Sequence, residues 1–138
     1  MGEFSLVREA ISRVNADRPI YVGGAVSNFG LISGGEWHSV SRCRLLRRNA
    51  ITDDQALDNL KEQAEILAMA GVDFMMVEST GNLIQRIWVS EACASVGLPI
   101  WTGFKVHKDE GDPKVKIGYF GSESLSQALQ EVIPWVRR

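Results

Sequence analysis

Apolar residues recur along this chain with the spacing of amphipathic helices, and short apolar runs lie between them. Residues 4–16 form the first helical pattern, and a second follows the capping signal in which Thr52 precedes Gln55. Gly71 and Gly97 are predicted to end the second and third helices, and a fourth helix closes the chain. The apolar positions assigned to the helix faces are Phe4, Val7, Ile11, Val14, Leu57, Leu60, Ala64, Leu67, Ile84, Trp88, Ala92, Val96, Leu125, Leu129, Val132 and Val136.

The apolar runs between the helices indicate buried strands. Residues 20–26, 73–78 and 100–106 are predicted to be strands, and residues 114–120 an edge extension or a hairpin arm. The glycine-dotted residues 27–51 are predicted to be a loop, which is unusually long for a compact domain. Helices that alternate with such strands indicate an α/β fold with parallel strands.

A sheet of three parallel strands is small and has two unpaired edges. The strands that begin at Ile20 and Ile100 are predicted to be the outer ones. Unpaired strand edges and apolar strand faces favour association. We therefore predict a homo-oligomer that forms through these edges.

The composition is that of an ordinary globular domain. With 138 residues, of which 45% are hydrophobic and 23% charged, residues 1–138 are predicted to form a single domain with its own core. The formal net charge of −2 gives no electrostatic reason to expect a nucleic-acid or membrane partner. The sequence has neither a secretory signal pattern nor an apolar run approaching the roughly 18 residues of a membrane span. We therefore expect a cytoplasmic protein.

Candidate metal ligands are few. Cys43 and Cys93 match no zinc, redox or disulfide spacing, and Cys93 lies within a helical pattern as a small core residue. His38 and His107 have no acidic residue or cysteine at ligand spacing. The residues themselves therefore predict no metal site. The tryptophans are predicted to be packing residues: Trp37, Trp88, Trp101 and Trp135.

Glu78 is the residue whose position argues most for function. It follows four apolar strand residues and stands at the carboxyl end of that strand, where parallel α/β folds keep their chemistry. Ser27 and Asn28 end the preceding strand and could line the same mouth, although turn formation explains them equally well. Thr102 and Lys105 end the following strand, and Lys105 is a candidate counter-ion for Glu78. These five residues are the predicted binding contacts, and no catalytic residue is assigned.

An ordered series of motifs surrounds Glu78. It consists of Ala70-Gly71-Val72-Asp73, then Val77-Glu78-Ser79-Thr80, then Leu98-Pro99-Ile100-Trp101-Thr102-Gly103-Phe104-Lys105. This series resembles the homocysteine S-methyltransferase family, whose members are TIM barrels. Residues 22–30 resemble the third strand of that family, and the residues after Gly121 resemble the start of the helix that follows its fifth strand. The resemblance implies a partial TIM barrel of about three parallel βα units, strands three to five, with flanking helices.

The resemblance also implies a substrate and a reaction. Family members transfer a methyl group to the homocysteine thiol to give methionine, and Glu78 would accept hydrogen bonds from the α-ammonium group of homocysteine. A family zinc, held by one Cys after strand six and a Cys pair after strand eight, makes the sulfur a thiolate. Neither Cys43 nor Cys93 falls at such a position, and Lys105 and Gly103 replace small polar residues. The expectation is therefore a fragment that holds no zinc and is inactive alone.

Two other interpretations stay open. A non-catalytic partial barrel that self-associates and binds a small amino-acid-like ligand would share these features. A fragment of another α/β barrel, of hydrolase or aldolase type, would use Glu78 and Lys105 as an acid/base pair. The latter is disfavoured because the sequence supplies neither a nucleophile nor a metal beyond those two residues.

Overall fold

A computed structural model describes residues 3–14, 16–27, 52–78, 80, 83–117 and 123–136. The elements are α1 (Glu3–Val14), β1 (Gly23–Val26), α2 (Asp53–Met69), β2 (Phe74–Val77), α3 (Leu83–Ser95), β3 (Ile100–Thr102), β4 (Val106–His107), β5 (Lys116–Ile117) and α4 (Leu125–Val136). The predicted alternation of helices and strands is confirmed. Apart from Ser27, the predicted loop over residues 27–51 lies outside the described residues.

Helix ends follow the capping chemistry of the sequence. Thr52 is the N-cap of α2, and its side chain accepts a hydrogen bond from the Gln55 amide at 3.2 Å. Gly71 and Gly97, which come after α2 and α3, have φ angles of 85° and 71° that favour glycine. Within the described part of the chain, no helix combines the length and apolar character needed to cross a membrane.

The main sheet is parallel, with the strand order β1-β2-β3. Hydrogen bonding continues one residue past the strands, because the Glu78 amide donates to the Val26 carbonyl at 3.1 Å and the Gly103 amide to the Val77 carbonyl at 3.2 Å. β1 and β3 are the outer strands of the sheet, as predicted. The carboxyl ends of all three strands therefore meet at one edge, which we call the carboxyl edge.

The two outer strands are shorter than predicted. β1 begins at Gly23 and not at Ile20, and β3 ends at Thr102 and not at Val106. β4 pairs with β5 in a separate antiparallel hairpin. The hairpin arm predicted within residues 114–120 is therefore confirmed for its described strand.

One face of the sheet is covered by helices. Met75 and Val77 of β2 are fully buried in a core that includes Leu60 of α2 and Val89 of α3. This covered face carries the main hydrophobic core, and α3 also contacts α4 beyond it.

The other face of the sheet, which we call the open face, carries the alternate side chains. It comprises Ala25, Phe74, Met76, Glu78 and Trp101. Trp101 is 63% exposed, and its ring centroid lies 4.5 Å from that of Phe74. The prediction that Trp101 is an ordinary packing residue is therefore wrong, because the side chain is largely exposed and Phe74 is its only ring contact among the described residues.

The predicted core face of α3 is confirmed for Trp88, Ala92 and Val96, but the prediction is wrong for Ile84. Ile84, which we assigned to the core, is 57% exposed. The helix packs against α2, α4 and the sheet, so its buried surface is broader than the predicted face. The buried residues of α3 are Leu83, Arg86, Val89, Ser90, Ala92 and Cys93. Two polar side chains consequently lie inside the protein.

The amino ends of the strands are fixed by Asp73. Its carboxylate accepts a hydrogen bond from the Val22 amide at 2.6 Å and lies 2.9 Å from the Arg8 guanidinium of α1. The hydrogen bond from Arg8, and next that from Val22, hold the pKa of the Asp73 carboxyl below its usual value. These contacts join α1, β1 and β2 at the end of the sheet opposite Glu78.

Candidate functional site

Glu78 lies at the carboxyl edge on the open face. Its backbone amide is held by Val26, and the alternation along β2 buries Val77 while directing Glu78 to the same side as Met76. The side chain is exposed, and none of the ion pairs between described residues involves it. The Glu78 carboxylate is therefore positioned to accept hydrogen bonds from a cationic group that approaches the carboxyl edge.

Ser27 is the predicted contact that the sheet brings closest to Glu78. The pairing of Val26 with Val77 continues so that Ser27 follows β1 beside Glu78, and the residue is half-buried. Asn28, the other contact predicted on this strand, lies outside the described residues.

Thr102 and Lys105, unlike Ser27, are not placed beside Glu78 on the open face. Thr102 pairs with Val77, so its side chain lies on the covered face, where its hydroxyl is 3.5 Å from a guanidinium nitrogen of Arg86. Lys105 is exposed and follows the end of β3, and no ion pair within 4.0 Å joins it to Glu78 in the described part of the chain. The geometry thus gives no support to an acid/base pair formed by these two residues.

Gly103 leaves space beside Glu78. It occupies the rung of the ladder after Thr102, next to Glu78, and its amide is bound to Val77. Among the described residues, a Cβ atom built on Gly103 would meet no atom closer than the Val77 carbonyl oxygen at 3.9 Å. The absence of a side chain at Gly103 therefore leaves space next to Glu78 between the described residues.

Arg86 is the residue of this region that sequence reasoning missed. The side chain is only 2% exposed, and its Nη1 atom donates hydrogen bonds to the Gly103 carbonyl and, at 3.5 Å, to Thr102. The guanidinium carbon lies 4.2 Å from the centroid of the Phe104 ring. Burial lowers the pKa of Arg86 to about 10, so the group stays cationic at neutral pH.

A signal for Arg86 was present in the sequence. The residue lies three positions after Leu83 and three before Val89, both of which are buried, so it occupies a core-facing position of α3. Counting only apolar residues favoured the face of Ile84, because a charged side chain is normally assigned to solvent.

The described residues do not form a site for the zinc ion that the family resemblance implies. They contain no group of three His, Cys, Asp or Glu side chains arranged to hold a metal ion. Cys93 is buried among apolar side chains, as predicted, and burial raises the pKa of its thiol to about 12. Zinc binds thiolates, which such a site disfavours. Cys43 lies outside the described residues.

The fold and the carboxyl edge define an α/β protein whose parallel sheet exposes a carboxylate where such folds bind ligands. The family model of homocysteine S-methyltransferase matches residues 3–133 of the 138-residue chain. No curated protein gives a significant match. Because the matched region spans nearly the whole chain, the chain belongs to the homocysteine S-methyltransferase family. The resemblance inferred from the motifs around Glu78 is thereby confirmed.

Proposed function

We propose that the chain contributes three consecutive βα units to a TIM barrel of the homocysteine S-methyltransferase kind. The sequential parallel order of the strands supports this, as does the placement of α2 and α3 over a single face of the sheet. In such a barrel the helices form the outer ring and the opposite face of the sheet lines the interior. The open face, with Met76 and Trp101, would then be interior surface.

The ligand we propose is homocysteine or its methylated product, methionine. The observation that carries this proposal is the exposed Glu78 carboxylate on the open face at the carboxyl edge. An α-ammonium group would donate hydrogen bonds to it, and such charge-assisted bonds are roughly twice as strong as neutral ones. The space beside Gly103 and the neighbouring Ser27 provide room and a further polar contact for the amino acid.

We further propose that the chain alone binds the amino acid without transferring a methyl group. A thiol with a pKa of about 8.5 is mostly protonated at neutral pH and is a weak nucleophile until a metal or base activates it. The described donor groups do not bring together a zinc site that would do this. The chain would accordingly supply recognition and not activation of the sulfur.

Titration and elemental analysis of the purified chain test these proposals together. We expect saturable binding of L-methionine and L-homocysteine by calorimetry, no stoichiometric zinc, and no methionine formed from homocysteine with any methyl donor. One tightly bound zinc per chain, or measurable methyl transfer, would contradict the proposal of binding without transfer. A flat titration with both amino acids would contradict the proposed ligand.

A self-associating partial barrel is the second candidate, and the open face favours it. Trp101 on this face is largely exposed, and β1 and β3 have unpaired outer edges within the described sheet. Two chains that place these surfaces together would cover both. This candidate differs from the first in needing only a second copy of the chain.

We expect light scattering at micromolar concentration to show a dimer or a higher oligomer. Trp101→Lys should shift the equilibrium toward monomer, because it places a charge on the open face. Met69→Lys is the matched control, since Met69 is 87% exposed at the end of α2, away from the open face. A monomer with a cooperative melt would show that the chain covers its own core and would refute the association.

A further inference from the structure

Arg86 is a buried cation that has no counter-ion among the described residues. Charged side chains inside proteins are normally paired, because removing them from water is costly. Among the described residues, no carboxylate lies within 4.0 Å of the Arg86 guanidinium. Its hydrogen-bond acceptors are a carbonyl and a hydroxyl, which carry no charge, and both are bound by Nη1. The Nε atom is buried and has no hydrogen-bond partner in the part of the chain that the structure describes.

Two further buried polar groups that have no hydrogen-bond partner among the described residues lie close to Arg86 in the sequence. The hydroxyl of Ser90 is one helical turn further along α3, and the hydroxyl of Thr80 belongs to the connection between β2 and α3. Both residues are more than nine-tenths buried. Most buried polar groups in proteins find a partner. A hydroxyl and an N–H can each donate a hydrogen bond to an anion.

Gly103 connects Arg86 to the proposed site. Its carbonyl accepts the Arg86 hydrogen bond, while on the ladder the residue stands beside Glu78. The cation and the carboxylate thus flank the same glycine, Arg86 from the helix side and Glu78 on the open face. An α-amino acid carries an ammonium group and a carboxylate group on one carbon atom. These two charges are complementary to the Glu78 carboxylate and the Arg86 guanidinium, respectively.

We propose that Arg86 is the carboxylate receptor of this site, its Nε–H binding the carboxylate of the amino acid whose ammonium group Glu78 binds. The inference rests on the proposed function and adds the second recognition element to it. The edge of a guanidinium that includes Nε matches the two oxygens of a carboxylate, a geometry that lysine cannot reproduce. The side of Arg86 that the protein leaves unpaired is the side that this contact needs.

Three ligands that share one side chain test the assignment by calorimetry. They are L-methionine, 3-(methylsulfanyl)propylamine, which lacks the carboxylate, and 4-(methylsulfanyl)butanoate, which lacks the ammonium group. We expect the wild-type chain to bind methionine at least tenfold more tightly than the amine. Arg86→Lys and Arg86→Met should abolish that preference and leave the affinity for the amine unchanged. Glu78→Gln should instead reduce the preference for methionine over the butanoate.

Folding is checked by the melting temperature of each variant. Arg86→Met keeps the side chain only as far as the position of Nε. It removes an uncompensated buried charge, but it also removes the hydrogen bonds to Thr102 and Gly103, so the melt is measured before the titration is interpreted. If the methionine variant does not fold, Arg86→Lys and the wild-type ligand series still decide the question.

The outcomes separate this inference from the function on which it rests. A wild-type chain that binds the amine as tightly as methionine, or Arg86 variants that weaken both ligands alike, would overturn the role of Arg86. In either case a Glu78 effect on the methionine titration would leave the proposed function standing. Absence of binding for all three ligands would overturn both proposals.

Discussion

Replacing Leu60 with alanine is expected to lower the free energy of unfolding by about 3 kcal/mol, within the range of about 2–5 kcal/mol typical of fully buried leucines. Leu60 is completely buried where α2 meets the sheet, and the buried residues one turn away on either side are Ala56 and Ala64. The side chains at the neighbouring core positions one turn away on α2 are therefore too short to fill the cavity. The loss is large for a domain whose total stability is about 5–15 kcal/mol.

Urea denaturation followed by circular dichroism measures this effect. The midpoint should fall while the slope of the transition stays unchanged, as expected when stability but not the exposed surface is altered. Ile66→Ala is the matched control, because Ile66 lies on the same helix and is 58% exposed. It should change the unfolding free energy by no more than about 0.5 kcal/mol. Equal losses in the two variants would show that the core is not centred on Leu60.

The elements of the fold could be predicted because each one carries a local signal. The cap of α2 at Thr52 and the left-handed glycines Gly71 and Gly97 set the ends of two helices through chemistry confined to a few residues. The buried strand β2 has an uninterrupted apolar run. Such signals need no knowledge of the partner surface, and the parallel alternation follows from them.

The errors arose where the partner surface decides the outcome. The burial of α3 depends on three neighbours at once, so Ile84 is exposed although it fits an apolar period. The end of β3 depends on Arg86, which bonds to the Gly103 carbonyl just after Thr102. The periodicity of one segment gives no information about a side chain that contacts this segment from another part of the chain.

The residues of the candidate site also divide into those that a local signal predicts and those that depend on tertiary packing. Glu78 could be found from sequence, because a carboxylate after an apolar strand has a fixed place in a parallel sheet. The orientation of Thr102 could not be inferred without the register, which pairs it with Val77 on the covered face. The spacing on α3 places Arg86 at a core-facing position, but its contacts with Thr102 and Gly103 become evident only once α3 is packed against β3. The acidic half of the proposed site is therefore encoded locally, and the cationic half depends on tertiary structure.

Glu78→Gln is expected to weaken methionine binding by roughly 10- to 100-fold, because a hydrogen bond to a charged group contributes about 1.5–3 kcal/mol. The amide can still accept a hydrogen bond from the ammonium group but no longer carries the opposite charge. Stability should change by no more than about 0.5 kcal/mol, as for other substitutions at exposed positions. Calorimetric titration and a thermal melt of the same sample measure the two effects independently.

Glu65→Gln provides the matched control, since Glu65 is also exposed but lies on α2, and it should alter neither quantity. The comparison also decides against a structural role for Glu78. If the carboxylate were paired with Lys105 in a dry environment, removing its charge would cost roughly 3 kcal/mol or more of stability, because the lysine would be left uncompensated. A loss of that size with methionine affinity unchanged would remove Glu78 from the site. A loss of affinity with an unchanged melt would place the ammonium group of the ligand at the carboxyl edge, next to Gly103.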